Sequence, residues 1–148
     1  MFHRSFQRVK AKNAYDPQLV SGSTILTGNI IDRKDYQAGL LSLNFGATTG
    51  TPTGTQLAVI VQHGDAANLS DSATYVTVAA SLGAADANFT AGTELAYDIN
   101  LEGAKRYVRF AVTPTFTAGT TPKVNLCASL ALEDGTSEPS GQSVIALP

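Results

Sequence analysis

Short runs that alternate apolar and polar residues constrain this chain more than any other feature of its sequence. Alternation is the period of a strand with one buried face, and glycine, proline and threonine punctuate the runs as turns would. The clearest run is Val124-Asn125-Leu126-Cys127-Ala128-Ser129-Leu130-Ala131-Leu132, apolar at every even position and small or polar at the odd ones. Residues 94–101 place Leu95, Tyr97, Ile99 and Leu101 on one face and Glu94, Asp98 and Asn100 on the other; Val108, Phe110 and Val112 continue the pattern. Further candidate strands lie at 24–31, 40–45, 55–62 and 75–79, and no long stretch repeats apolar residues at helical spacing. The predicted class is all-β: an antiparallel β-sandwich, jelly-roll-like.

At 148 residues the length suits one domain. Its predicted limits are 18–132, with loops at 46–54, 64–73, 80–93 and 113–122. Residues 1–17 read as an extended N-terminal arm holding Arg4, Arg8, Lys10 and Lys12, with no acid before Asp16. Residues 133–148 read as a C-terminal tail, turn-rich and mildly acidic at first, then apolar at Val144-Ile145-Ala146-Leu147.

Composition narrows the function classes. With 43% hydrophobic and 15% charged residues the chain has material for a core and none of the signature of disorder. A net charge of −2 argues against a globally basic nucleic-acid binder. No apolar run approaches the ~20 residues of a membrane helix, and the basic, aromatic start leads into no hydrophobic signal core. Cys127 is the single cysteine, so no internal disulfide forms, which suits assembly in a reducing cytoplasm. The sequons at Asn68 and Asn88 carry no weight without a secretion signal.

One hairpin is predicted in detail. A type II′ turn at Gly103-Ala104 pairs Glu102 with Lys105, Asn100 with Tyr107 and Asp98 with Arg109 on the outer face. The inner face then pairs Ile99 with Val108, Tyr97 with Phe110 and Leu95 with Val112. Opposite charges and matched hydrophobes fall together, each pair contributing ~0.2–1 kcal/mol.

The search for chemistry is mostly negative. The chain lacks the nucleophile elbow, the phosphate-binding glycine loops and the zinc-protease motif. His3 sits in the arm, and His63 ends a strand beside Gly64-Asp65, where a structural role outweighs a Ser–His–Asp triad. Glu94, Asp98 and Glu102 have the look of a glycosidase pair, but even spacing on a strand makes them a solvated face opposite Lys105 and Arg109. The loop from Asp65 to Asp71 offers oxygen ligands for calcium without EF-hand spacing, and reads as an ordinary polar loop. Cys127 is expected to be a buried, inert thiol. Tyr97 and Phe110 fit the core, leaving Tyr36, Tyr75 and Tyr107 as candidates for an exposed face; with no tryptophan, sugar binding has little support. No catalytic residue, cofactor site or metal site is assigned.

The arm is the exception. Phe2, Phe6 and Val9 fall at i, i+4 and i+7 with Arg4, Arg8, Lys10 and Lys12 interspersed, as in a short amphipathic helix or an extended tether. A frayed terminus is the bland alternative, but two phenylalanines are unusual there. Phe2, Arg4, Phe6, Arg8, Lys10 and Lys12 are therefore the predicted partner-binding residues, suited to a surface that accepts aromatics within an acidic rim.

A series of segments carries a family resemblance. Ile31-Asp32-Arg33-Lys34-x-Tyr36 leads into the apolar strand 40–45; Val61-Gln62-His63-Gly64-Asp65 and Gly103-x-Lys105-Arg106-Tyr107-Val108-Arg109 follow, and strand 124–132 completes it. Over about residues 20–132 this order resembles the small jelly-roll head decoration, or cement, proteins of tailed bacteriophages. The resemblance implies a non-enzymatic structural protein on the outside of the capsid, assembled in the bacterial host cytoplasm. Its implied partner is the major capsid protein. A homodimer or homotrimer is expected because one small domain offers limited contact area and joined footprints gain from effective concentration, and neither nucleic acid nor membrane is an expected partner. A tail-fibre or receptor- or carbohydrate-binding module is the alternative, though such modules usually carry repeats or coiled-coil stretches and none is visible here.

Overall fold

Nine strands organise the chain in a computed structural model that describes residues 9–22, 25–84 and 86–133. They are β1 (Lys10–Ser21), β2 (Leu26–Thr27), β3 (Ile31–Asp32), β4 (Ala38–Thr49) and β5 (Gly54–Gly64), followed by β6 (Ala73–Ala84), β7 (Thr93–Asn100), β8 (Tyr107–Thr117) and β9 (Lys123–Glu133). One sheet has the order β1-β9-β4-β7; the other runs β2-β8-β5-β6, with β3 also on β8. Every ladder is antiparallel. Counting β2 and β3 as one interrupted strand gives two four-stranded sheets whose consecutive strands nearly always change sheet, the jelly-roll arrangement of two Greek keys. Among the described residues only β5 and β6 follow one another within a sheet on this count.

The alternation read from sequence buries the faces it should. Val124, Leu126, Ala128, Leu130 and Leu132 of β9 are buried, and so are Leu41, Leu43 and Phe45 of β4. From the opposite sheet Leu57, Val59 and Val61 of β5 and Val108, Phe110 and Val112 of β8 complete the layer. Phe45 stacks on Phe89 with centroids 4.2 Å apart, capping one end of the core.

The predicted hairpin does not form. β7 pairs with β4, and β8 pairs with β5, so Asp98 and Arg109 lie in different sheets. Ile99 and Val108 do point inward, but towards each other's sheet across a shared core. The reason lies in the connection. Leu101 is fully buried and donates its amide to the Gln37 carbonyl at 2.8 Å, while Ala104 is also buried. Arg33 then gathers the turn, its guanidinium donating to the carbonyls of Lys105 and Tyr36, both at 2.8 Å, and to that of Ala104. An apolar residue sunk between the sheets and a latch from the β3–β4 loop carry the chain across the sandwich.

The start of the domain also differs from the sequence reading. Residues 10–17 form most of β1, at the edge of the first sheet, so the boundary at 17/18 falls inside a strand. Register shifts between Asn13 and Tyr15, and between Tyr15 and Gln18, break the alternation there, which is why the strand is hard to see in the sequence. The remaining arm and tail, residues 1–8 and 134–148, lie outside the described residues.

The two sides of the sandwich are finished differently. On the β1 side, Asn29 donates its amide to the Ala14 carbonyl at 2.9 Å, and Gly28 donates to Phe110 at 2.7 Å, tying the sheets together. A Cβ on Gly28 would collide with the Ala14 carbonyl oxygen, so only glycine permits this approach. On the β6–β7 side the tie comes from the connecting loop, whose Ala87 and Phe89 carbonyls accept the amides of Thr55 of β5 at 3.0 Å and Thr48 of β4 at 3.4 Å.

Candidate interaction surface

Of the residues expected to bind a partner, Phe2, Arg4, Phe6 and Arg8 lie outside the described residues. Lys10 and Lys12 stand on β1, opposite Leu132 and Leu130 in register. They therefore share the face that holds buried leucines, yet at the sheet edge they are only half-buried. Long lysine stems can cover such an edge while the ammonium groups reach water, and inward-pointing charge discourages pairing by a foreign strand. Val9, 39% exposed, precedes them.

Above β1 the bulges open a shallow groove, walled by Ala11, Asn13, Tyr15 and Pro17 with Asn44, Cys127 and Ser129 across from them. Cys127 is half-buried on this outer side, not a core thiol as expected. Lys12 is the one charged residue of the lining, so the groove offers contact area more than chemistry.

The polar groups singled out in the sequence are used within the fold. Lys105 bridges Asp65 at 3.0 Å and Asp71 at 3.5 Å. Asp71 also accepts the amides of Asp65 and Ala66, and those backbone bonds, with Lys105 nearby, hold its carboxyl below the usual carboxylate range. His63 accepts the Lys105 amide at Nδ1, 3.2 Å away, and its ring lies against Tyr75. Arg106 grips Asp32 with two nitrogens, the closer contact at 2.7 Å. That hydrogen bond depresses the Asp32 carboxyl, and the acid in turn raises the guanidinium. Among the described residues no three metal-ligating side chains converge.

Several expected pairings are replaced. Lys105 and Arg109 do not face Glu102 and Asp98; Arg109 donates to Gln62 at 2.7 Å, while Glu94 accepts from Ser42 at 2.8 Å. Tyr36, expected among exposed aromatics, is buried, whereas Tyr75 and Tyr107 are half-exposed and Arg106 covers the Tyr107 ring at 5.1 Å. Sequence reasoning missed Arg33 as an organiser; its only signal was a charged residue within the Ile31–Tyr36 segment, with nothing local to name distant carbonyls as partners.

The chain matches no family model and no curated protein in sequence. Its fold has counterparts among solved structures. The PBSX exported protein XepA superposes with a TM-score of 0.51 at 15% identity, covering 94% of this chain and 42% of that one. A chain of infectious bursal disease virus, Gx strain, gives 0.53 at 20% identity, covering 88% of this chain and 33% of its own length. The T13 particle of that virus gives 0.55 at 16%, covering 88% and 32%. This chain thus spans less than half the length of each, and what it shares with them is the jelly-roll fold.

Proposed function

We propose that this chain is a structural protein of a bacteriophage particle, without catalytic activity: a head decoration or cement protein. In this reading it binds the outer capsid surface, contacts neighbouring major capsid protein subunits and acts as a small homo-oligomer. The observation that carries the reading is the jelly-roll order itself, β1-β9-β4-β7 against β2-β8-β5-β6. Infectious bursal disease virus particles contain chains of similar fold, which makes a virion component the reading with most support. Commitment of Asp65, Asp71, Lys105 and His63 to loop structure accords with a binding protein. Phe2 and Phe6 supply anchors ahead of β1, and Arg4, Arg8, Lys10 and Lys12 supply steering charge.

Co-sedimentation with undecorated phage heads at two salt concentrations tests the proposal. Buried aromatic anchors commonly contribute ~2 kcal/mol or more each, whereas rim charges act on rate and salt dependence. Deleting residues 1–8, which leaves β1 intact, is expected to weaken binding at least 30-fold, and Phe2→Ala with Phe6→Ala more than Arg4→Ala with Arg8→Ala. Failure of the full chain to bind heads refutes the cement role. Undiminished binding by the deletion places the contacts on the sandwich instead.

A further inference from the structure

β6 and β7 are the outermost strands of their sheets, on the side of the sandwich opposite the Asn29–Ala14 tie. Between them runs a slit of about 400 Å³, lined by Tyr75, Val76, Thr77 and Val78 of β6 and by Tyr97, Asp98, Ile99 and Asn100 of β7. Four consecutive residues from each strand contribute, so both walls are strand edges, main chain included. Among the described residues each edge pairs with a neighbour on one side only, β6 with β5 and β7 with β4, leaving peptide groups directed outward.

The apolar residues of these edges are incompletely covered. Leu41 and Leu43, in the adjacent strand, are 0% and 1% exposed. Leu95 and Tyr97 point the same way but stay half-exposed, as do Tyr75, Val78 and Ala79. β7 shows no bulge against β4, so its edge is regular enough to template another strand. An extended apolar segment fits both needs, giving main-chain hydrogen bonds at the edge and alternate side chains in the slit.

We propose that Val144-Ile145-Ala146-Leu147 of the same chain pairs antiparallel with the free edge of β7, its Ile145 and Leu147 side chains entering the slit between Tyr75 and Tyr97. β9 ends at Glu133, which stands beside Ala38, and Ala38 stands beside Asn100 at the end of β7. The segment after β9 therefore starts in the row where β7 finishes. Residues 134–143 reach about 33 Å when extended, and the slot beyond β7 is three strand spacings away, about 14 Å. Residues 1–8 fit poorly: they must cross four spacings, about 19 Å, with a reach of about 26 Å. A strand there would also put Arg4 and Arg8 on the same face as Phe2 and Phe6. Pairing within the chain is preferred over exchange between copies because a short linker holds the segment at roughly millimolar effective concentration.

Hydrogen–deuterium exchange on the full chain tests the assignment. Amides of 144–147 are expected to exchange at least tenfold more slowly than in the free peptide, equally at low and high protein concentration. Ending the chain after Ser143, or introducing Ile145→Asp with Leu147→Asp, should speed exchange in β7 at least several-fold while the circular dichroism spectrum stays that of the folded sandwich. Free-peptide exchange rates at 144–147 in the full chain overturn the proposal, as does unchanged β7 exchange in both variants. Protection that disappears on dilution overturns the intrachain pairing, since it marks exchange between copies.

Discussion

Replacing Arg33 with alanine removes three hydrogen bonds at once, to the carbonyls of Lys105, Tyr36 and Ala104. Bonds to a charged donor contribute about 1.5–3 kcal/mol each. The three share one half-buried side chain, so their sum is not additive, and about 3 kcal/mol is the expected loss. For a domain of this size each kcal/mol moves Tm by roughly 3 °C, giving a fall of roughly 10 °C by calorimetry or circular dichroism. Arg33→Lys keeps the charge without the planar fork, and less than half the loss should be recovered. Chain crossing itself depends on Leu101 as well, so the fold should survive. A Tm within about 2 °C of the parent refutes the latch and leaves burial of Leu101 and Ala104 as sufficient to carry the connection across.

Three further outcomes are expected. Asp32 titrates below its unfolded value because of Arg106, so its contribution is present above about pH 4 and is lost as pH falls through the folded value; in Arg106→Ala its carboxyl should return toward the ordinary range by NMR titration, with less stability lost on acidification. Tyr15 and Tyr36 are buried with hydroxyls that have no hydrogen-bond partner among the described residues, so Tyr15→Phe and Tyr36→Phe should leave denaturant midpoints unchanged or raise stability by up to about 1 kcal/mol. Gly50 has φ of +79°, and a Cβ there would lie 2.5 Å from the Thr120 carbonyl oxygen; Gly50→Val should cost about 2 kcal/mol or more in chemical denaturation.

The strands of the core were legible because burial on one face leaves a period of two, as in Val124, Leu126, Ala128, Leu130 and Leu132. Partner choice was not. Residues 94–101 and 107–112 alternate identically whether they pair as a hairpin or face each other from opposite sheets, because both arrangements send Ile99 and Val108 into one core. The deciding groups, Arg33 and Gln37, lie some seventy residues away from the turn in sequence, where local patterns cannot reach. β1 escaped detection for another reason: its bulges bury Ala14 and Tyr15 side by side and so erase the alternation. For the interaction surface, sequence could nominate Lys10 and Lys12 by charge, but only the register shows that they stand opposite buried leucines.

The place of β9 between β1 and β4 also sets a timetable for synthesis. β1 leaves the ribosome early, yet its partner spans residues 123–132, so its backbone must wait more than a hundred residues for hydrogen bonds. Until then β4 can pair with β7, and β5 with β6 and β8, but the sheet that ends in β1 stays split. Closing so long a loop is slow, and the waiting edges are open to pairing with other nascent chains. Lysines at positions 10 and 12 put positive charge on the strand that waits longest, so Lys10→Val with Lys12→Val should aggregate during expression even where the finished fold tolerates the change.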